Sequence, residues 1–512
     1  MAGFIAGLVL DLEEKRPRQK FSLFFYNPIT YAGVCLTLLI FFAECFLFGI
    51  DFINPYANVY LGLFTYTVLP PFLILGIALI IMGAVRKRRR VLKGLAEAQP
   101  KPFFFDPSVP QHRNAMLVFL VGGTILVAMT AIGSYKAFHY TESVQFCGVT
   151  CHKVMSPQYT RHQQSPHARV KCVECHIGAG VDWYVRSKLS GVRQIFKTVQ
   201  NTYPRPIPTP VHNLRPARET CEHCHWPEKF YSSFEMRRQY FLTEGDNPSW
   251  LIRMLMQVGS EDKKNTGIHA HMYMDNDIYY APDDEKRQKI SWVKSVDKQG
   301  KETVYTAPDS LYLEKDPPAE LVRKMDCVDC HNRPTHRFPA PYKLINEAMA
   351  AARIDPDLPS IKEKALELLS AQYPSREQAL ETIGRELTAF YQEQFGDQYP
   401  ANQTRVEQAV GEIGRLYKDY FFPEMHARWD AYPDNIGHLV SPGCFRCHDG
   451  QHTSAAGKAI SRDCAVCHTI IEQGPPGALE KNTDGLPFRH PVDIGDMWQE
   501  MNCYECHTGG SY

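Results

Sequence analysis

Residues 165–194 of the chain read SPHARVKCVECHIGAGVDWYVRSKLSGVRQ, and the cysteines and histidine of CVECH form a C-x-x-C-H motif. With it, the chain carries six such motifs: Cys172/Cys175/His176, Cys221/Cys224/His225, Cys327/Cys330/His331, Cys444/Cys447/His448, Cys464/Cys467/His468 and Cys503/Cys506/His507. A seventh cluster, CGVTCH, comes first and has three residues between Cys147 and Cys151, followed by His152. These clusters use all but two of the 16 cysteines, so they decide what the chain folds around.

The C-x-x-C-H spacing is the attachment pattern of c-type haem. Two thiols reach the vinyl groups on one edge of a porphyrin, and the adjacent histidine turns under the ring to bind the iron. Zinc sites also use C-x-x-C pairs, but two pairs must converge on one metal, and no histidine is needed after each pair. Disulfide pairing leaves the histidines unexplained as well. The sequence therefore predicts seven covalently attached c-type haems.

Seven porphyrins would fill the soluble part of the chain, because roughly 375 residues leave little room for an ordinary hydrophobic core as well. We therefore expect a mainly α fold with little regular structure. It should combine three transmembrane helices with a haem-packed multihaem cytochrome c domain, interrupted by a small β-containing insertion and a helical insertion.

Three apolar runs are long enough to cross a bilayer, which takes about 20 residues of helix. They predict a two-helix transmembrane hairpin over residues 30–85 and a third transmembrane helix over residues 114–137. Basic residues cluster in segments 1–29 and 86–113, so both segments should be cytoplasmic. We expect a bacterial inner-membrane protein with its N-terminus in the cytoplasm and its haem domain in the periplasm.

The first apolar run also contains a carboxylate, Glu44, and the two remaining cysteines, Cys35 and Cys45. A carboxylate in the membrane is either a functional group or a residue hydrogen-bonded between helices near the outer interface. The two cysteines are expected to be small packing residues.

The attachment motifs divide the chain after the third apolar run into three segments. Residues 138–345 hold the first four attachment sites and form a predicted four-haem domain, whose cysteine-free insertion at 246–316 has alternating patches typical of strands. Residues 346–420 have helical periodicity and are predicted to be a helical insertion. Residues 421–512 hold the last three sites and form a predicted three-haem domain. Lys+Arg and Asp+Glu both total 56, so charge gives no indication of a nucleic-acid partner.

Each haem iron needs axial ligands, and the expected proximal ligands are the histidines of the attachment clusters, His152 included. Bis-histidine ligation is usual in electron-transfer haems of this kind, so further histidines should supply the distal side. The distal candidates are His162, His167, His336, His426, His438, His452 and His490, with His212, His223, His269 and His271 in reserve. The first site differs, because its extra residue changes how His152 reaches the iron, and Met155 follows closely enough to replace His152 as the ligand. Either arrangement would leave this haem weakly ligated, with an open position.

The stretch Ser165–Gln194, together with CEHCHWPEKF and MDCVDCHNRPTH, resembles the NapC/NirT family of membrane-bound multihaem cytochromes c. The likeness covers roughly residues 114–338, and members of that family are quinol dehydrogenases with one anchoring helix and a four-haem head. The resemblance implies that the haem at Cys147/Cys151 accepts electrons from quinol. It also implies that Met155 is a ligand of that haem and that His167 and His336 are distal ligands.

The chain departs from the family at its first site, since the family has two residues between the first cysteines and a methionine nearer the histidine. Lys188 matches the lysine that several members carry at the quinol pocket, whereas Gln194 stands at the acidic position. The quinol-site candidates are therefore Lys188, Gln194 and Met155. The surrounding stretch, Val181–Gln200, is predicted to be a basic amphipathic helix that either lines a quinol pocket or covers haem propionates.

The whole layout, with two more membrane helices and three more haems, resembles the seven-haem inner-membrane cytochromes of metal-respiring bacteria. This implies a quinol:cytochrome c oxidoreductase that oxidises menaquinol from the membrane pool. It would relay electrons to periplasmic multihaem cytochromes c in anaerobic respiration or extracellular electron transfer. Two alternatives remain: a terminal multihaem reductase of a small oxyanion, and a passive electron wire or redox sensor.

Overall fold

The computed structural model describes residues 23–25, 27–53, 65, 68–93, 106–150, 152–177, 181–211, 216–230, 232–259, 267–273 and 276–510. Most of the predicted N-terminal segment 1–29 lies outside these residues. The chain forms two compact units, Met1–Thr150 and Cys151–Tyr512, and each is described by itself.

The first unit contains three long helices, α1 (Pro28–Ile53), α2 (Leu69–Leu92) and α3 (Pro110–Thr141). Each contains a stretch long and apolar enough to cross a membrane: Pro28–Gly49, Leu69–Leu92 and Leu120–Thr141. Helix α2 starts where prolines occupy its first turn, a position that needs no backbone N–H donor. It continues as far as Leu92, into segment 86–113, which was expected to be a basic cytoplasmic loop, because lysine and arginine are good helix formers.

Small residues bring α1 and α2 into close contact. A Cβ atom on Gly33 would lie 2.7 Å from the backbone nitrogen of Ile80, and one on Gly76 would lie 2.5 Å from Thr37 Oγ1. Glycines at such positions let helices approach closely, which is how membrane helices pack without a hydrophobic driving force between them. Leu126 of α3 packs against the apolar cluster that α1 and α2 form.

The second unit has short helices around the attachment motifs and four longer helices in its middle. In chain order these helices are α4 (His152–Gln163), α5 (Cys172–His176), α6 (Val181–Val199), α7 (Ala217–Cys221), α8 (Ala270–Tyr273), α9 (Cys327–Cys330), α10 (Pro341–Ala350), α11 (Ile361–Ser370), α12 (Arg376–Gln394), α13 (Tyr399–Tyr420), α14 (Met497–Glu500) and α15 (Cys503–Cys506).

Helices α10 to α13 build a hydrophobic core of their own. Its fully buried members include Ile345, Ile361, Leu369, Ile383, Leu387 and Ile413. Apolar residues at helical spacing place one face of each helix against the others. This segment therefore has an ordinary side-chain core, for which little room was expected beside seven haems.

Two antiparallel sheets complete the second unit. Their strands are β1 (Ser232–Phe241), β2 (Ser249–Gly259), β3 (Asp277–Pro282), β4 (Ile290–Val296), β5 (Glu302–Thr306), β6 (Arg323–Lys324), β7 (Thr453–Ser454), β8 (His468–Gly474) and β9 (Glu480–Leu486). One sheet has the order β1-β2-β8-β9 and the other the order β6-β3-β4-β5-β7.

This β-structure corrects the expectation of a mainly α fold with one small β-containing insertion. The strands begin before residue 246, and both sheets recruit strands from segment 421–512. Leu251 of β2 pairs with Gly474 of β8, and Tyr305 of β5 pairs with Ser454 of β7. An exposed strand edge carries unpaired backbone N–H and C=O groups, and pairing with distant strands satisfies them. The described second unit is therefore mixed helix and sheet.

Candidate haem-binding sites

The attachment motifs of the second unit adopt short helical turns. The backbone N–H of the motif histidine bonds to the carbonyl of the first cysteine in His225→Cys221 (2.8 Å), His331→Cys327 (2.8 Å), His448→Cys444 (3.0 Å) and His507→Cys503 (2.8 Å). Residues three and four apart share one face of a helical turn. The turn therefore gives the two thiols and the imidazole the local arrangement that a tethered porphyrin needs.

Cys224, the second attachment cysteine of its motif, lies outside a helix. It is exposed, whereas Cys221 of the same motif is half-buried. Helix α7 ends at Cys221, so Cys224 lies in the turn that follows, and its N–H donates to the Cys221 carbonyl at 3.1 Å. The chain does not return to a helix at this point because a proline, Pro227, disfavours helix at the residue before it, and Trp226 is extended. Exposure of the second motif cysteine recurs at Cys175, Cys330 and Cys506, although α5, α9 and α15 include both of their cysteines.

The competing interpretations of the cysteines lack the required geometry. Every cysteine that the structure describes is free of disulfide bonds. Within the described part of the chain, no group of three or more His, Cys, Asp or Glu side chains converges as a zinc site would require.

Four predicted distal histidines lie opposite motif histidines of the second unit. Two imidazoles that bind one iron from opposite sides have ring centres about 6 Å apart, because each metal–nitrogen bond is about 2 Å long. The observed separations are 6.3 Å for His176–His336, 6.0 Å for His167–His225, 6.3 Å for His438–His468 and 6.0 Å for His490–His507. These residues fit bis-histidine ligation of an iron between them.

Two of the reserve histidines also lie opposite motif histidines. His269 lies 6.1 Å from His331, and His271 lies 5.8 Å from His448, measured between ring centres. Sequence reasoning ranked both residues low because neither is close to an attachment motif in the chain. The available signal was their spacing, since His-Ala-His is the one place where two non-motif histidines stand two residues apart.

Hydrogen bonds orient several of these imidazole rings, and burial keeps several of them neutral, as metal binding requires. The Nδ1 atoms of His336, His448 and His490 lie 3.0, 2.9 and 2.7 Å from backbone carbonyl oxygens, which orients each ring and leaves Nε2 available. Burial lowers the pKa of His336 to about 3 and the pKa values of His271 and His438 to about 4. These histidines are therefore neutral near pH 7, which is the form that binds metals.

Three other predicted distal ligands have hydrogen-bond partners in the protein, and their rings face no unassigned motif histidine among the described residues. His452 is only 1% exposed; its Nδ1 lies 2.8 Å from Asp449 Oδ1 and its Nε2 lies 2.9 Å from the carbonyl of Ile290. Burial would lower the pKa of His452, but the Asp449 carboxylate outweighs it and raises that pKa. Both ring nitrogens of His452 therefore have protein partners in this structure.

His162 and His426 also have hydrogen-bond partners in the protein. His162 Nε2 lies 2.9 Å from the carbonyl of Val170, and its Nδ1 lies 3.2 Å from Gln163 Nε2. Its ring is 6.4 Å from His336, a residue that already faces His176. His426 is exposed, and its Nδ1 lies 3.4 Å from the carbonyl of Arg205. Of the remaining reserves, His223 is exposed and His212 lies outside the described residues.

Attachment sites that follow one another in the chain also adjoin one another in space. Thiols of neighbouring sites interact electrostatically or by hydrogen bonding in the pairs Cys175/Cys221, Cys221/Cys327, Cys330/Cys444, Cys444/Cys467 and Cys464/Cys503. The second to seventh sites therefore form an unbroken series.

The first site and the predicted quinol residues are described in part. Cys151 and the side chain of His152 lie outside the described residues, whereas Met155 is half-buried on α4. Lys188 and Gln194 both lie on α6, where exposed Gln194 donates from Nε2 to Ser190 Oγ at 3.3 Å. The apolar side chains of this helix are exposed, at 68% for Leu189, 62% for Phe196 and 80% for Val199.

The family model described as NapC/NirT cytochrome c family, N-terminal region, matches residues 109–206. The chain belongs to this family of membrane-bound electron-transport cytochromes with covalently attached c-type haem. It is 37% identical over 497 residues to the cytochrome c-type protein ImcH of Geobacter sulfurreducens, a match spanning 96% of this chain and 97% of that protein.

A shorter relative is the cytochrome c-type protein NrfH of Wolinella succinogenes. It is 32% identical over 117 residues, which is 21% of this chain and 66% of that protein. No solved structure matches the chain. The family segment thus contains the third membrane helix and the first two attachment sites, while the likeness to ImcH extends over both units.

Proposed function

We propose that the chain is a seven-haem cytochrome c that oxidises menaquinol at the inner membrane and passes the electrons to periplasmic cytochromes. The observation that carries the proposal is the position of the first site. Helix α3 ends at Thr141, and the first attachment cysteine, Cys147, follows within the family segment. The haems, when bound, would supply a series of one-electron carriers.

The axial ligands proposed for four sites follow from the ring separations. His336 would face His176, His167 would face His225, His438 would face His468, and His490 would face His507. At the first site Met155 is the proposed ligand, as the family resemblance implies, and the attachment-motif histidine His152 is the alternative. Methionine ligation raises the potential of a haem relative to bis-histidine ligation, which would favour electron entry there.

The proposed orientation follows from charge. Helix α2 ends in the basic run around Arg89 and Arg90, and basic residues near a membrane helix favour the cytoplasmic side. Three spans then place Cys151–Tyr512 in the periplasm, the compartment in which its electron acceptors would be found.

Helix α6 is the proposed wall of the quinol site. Its exposed apolar residues suit the acyl boundary of a bilayer, and its cations suit the headgroup region. Lys188 would donate a hydrogen bond to a quinol oxygen. Gln194 offers a hydrogen-bonding amide but no carboxylate, so it would orient the quinol without accepting its proton.

The deciding experiment gives the oxidised full-length protein a menaquinol analogue in detergent. We expect the haem spectrum to become reduced and the quinol to be consumed. Nitrite and hydroxylamine are tested in parallel with chemically reduced protein. If either nitrogen compound is turned over while quinol is not oxidised, the relay is wrong and the terminal-reductase alternative is right.

Lys188→Ala is expected to lower the rate of quinol-driven haem reduction about tenfold, because one hydrogen bond to a charged donor is lost. Stopped-flow spectroscopy with the menaquinol analogue measures this rate. Reduction by dithionite should be unchanged, since it does not require the quinol site. Lys197→Ala, an exposed cation of the same helix, is the matched control and should retain the wild-type rate.

Met155→Ala is expected to change the absorption and magnetic spectra of one haem and leave the other six as they are. The reason is that a thioether ligand would be lost at the first site only. Midpoint potentials from a spectroscopic titration should show one shifted component. An unchanged set of potentials would show that Met155 is not a ligand.

A further inference from the structure

His269 and His271 are two residues apart, yet their rings face the motif histidines of two different attachment sites. His269 faces His331, with ring planes 5° apart, and His271 faces His448, with ring planes 81° apart. One iron cannot lie between the rings of both pairs, so His269 and His271 face two separate metal positions.

The backbone of this segment is fixed to strand β2. The N–H of Ile268 donates to the carbonyl of Gln257 at 2.8 Å, and the N–H of His269 donates to the carbonyl of Val258 at 3.2 Å. Gly267 has a φ of +90°, and a Cβ there would lie 2.7 Å from the Gln257 carbonyl oxygen. Only glycine allows this approach, so the entry into α8 is set by the backbone.

The two attachment turns on the opposite side are also fixed to each other. Arg446 lies between the cysteines of the CFRCH motif and is buried. It donates from Nη2 to the carbonyl of Asp329 at 2.6 Å, inside the CVDCH motif, and from Nε to the carbonyl of Gly443 at 2.8 Å. A second donor, Asn435 Nδ2, reaches the same Asp329 carbonyl at 3.0 Å. The spacing between the two sites is therefore held rigidly from both sides.

We propose that His269 is the distal ligand of the haem attached at Cys327/Cys330 and that His271 is the distal ligand of the haem attached at Cys444/Cys447. The segment His269-Ala270-His271 then joins the last site of segment 138–345 to the first site of segment 421–512 through three consecutive residues. The inference rests on the proposed haem content and assigns the junction between the two groups of haems.

The competing ligand for the fifth site is His452, which follows its attachment motif closely in the chain. Both of its ring nitrogens already have partners, Asp449 and the carbonyl of Ile290. We therefore assign His271 to this site, because its ring faces His448. The ring of His452, in contrast, is hydrogen-bonded to Asp449.

The test uses His269→Met and His271→Met in the full-length protein, because methionine keeps a ligand for iron and so favours folding. Haem content, from intact mass and pyridine haemochrome, should remain at the wild-type value. Each variant should gain the near-infrared charge-transfer band of one methionine-ligated haem and one haem of raised potential. The double variant should gain two.

Alanine variants of the same residues add a second readout. His269→Ala and His271→Ala should each convert one low-spin haem to high-spin in electron paramagnetic resonance. His452→Ala and His223→Ala are matched histidine controls and should add no high-spin signal. A high-spin haem in His452→Ala, or unchanged spectra in the His271 variants, would overturn the assignment. If the wild-type protein did not oxidise quinol but the variants showed these spectra, the proposed function would be wrong and the ligand assignment would stand.

Discussion

Replacing both Cys327 and Cys330 by alanine is expected to leave the chain with one haem fewer and to stop quinol electrons from reaching segment 421–512. This attachment site lies in the middle of the series, since the Cys327 thiol adjoins Cys221 and the Cys330 thiol adjoins Cys444. Intact mass should fall by one haem. Quinol-driven reduction of a soluble acceptor cytochrome should fall more than about 100-fold, because the relay loses a carrier at its centre.

Two controls separate this effect from a general loss of structure. Alanine at Cys35 and Cys45, which belong to helix α1, should change neither haem content nor the rate of electron transfer. Dithionite should still reduce the remaining haems of the Cys327/Cys330 variant. If quinol reduced the remaining haems of that variant as fast as those of the wild type, the proposed order of sites would be wrong.

The second large effect is expected at Asp329, where alanine should lower the free energy of unfolding by about 3–5 kcal/mol. Its side chain is almost fully buried and accepts a hydrogen bond from the Tyr280 hydroxyl at 2.6 Å. The guanidinium groups of Arg287 and Arg323 lie 3.5 and 3.8 Å from the same carboxylate oxygen. Its other oxygen accepts from the backbone N–H of Asp326 at 2.7 Å and closes the turn before Cys327. Removing the carboxylate leaves all of these donors without their acceptor.

Asp309→Ala is the matched control for that substitution. Asp309 pairs with Lys289 at 2.6 Å, but both side chains are more than half exposed. An exposed ion pair contributes about 0–1 kcal/mol, so this variant should unfold almost as the wild type does. Urea titrations of both variants, followed by far-ultraviolet circular dichroism, measure the difference. Equal, small losses would show that the Asp329 network does not hold the fourth attachment turn.

The attachment sites could be predicted from the sequence, but the histidines that lie opposite them could be predicted only in part. An attachment site is local, because one helical turn brings its cysteines and histidine together, and the motif is therefore visible in the sequence. A distal ligand would come from elsewhere in the chain, as proposed for His336 opposite His176 and for His271 opposite His448. Proximity in sequence favoured His452, whose ring is held by Asp449, three residues before it.

Membership of the NapC/NirT family, the apolar segments and the attachment motifs could all be predicted from the amino-acid sequence, since each depends on residues close together in the chain. Which histidines face one another, and which strands pair in the sheets, became visible only in the folded chain. Pairs such as Leu251 with Gly474 depend on how distant segments meet. The physical reason is that a porphyrin is tethered by one turn of backbone, whereas the residue opposite its iron can come from any segment that the packed fold brings there.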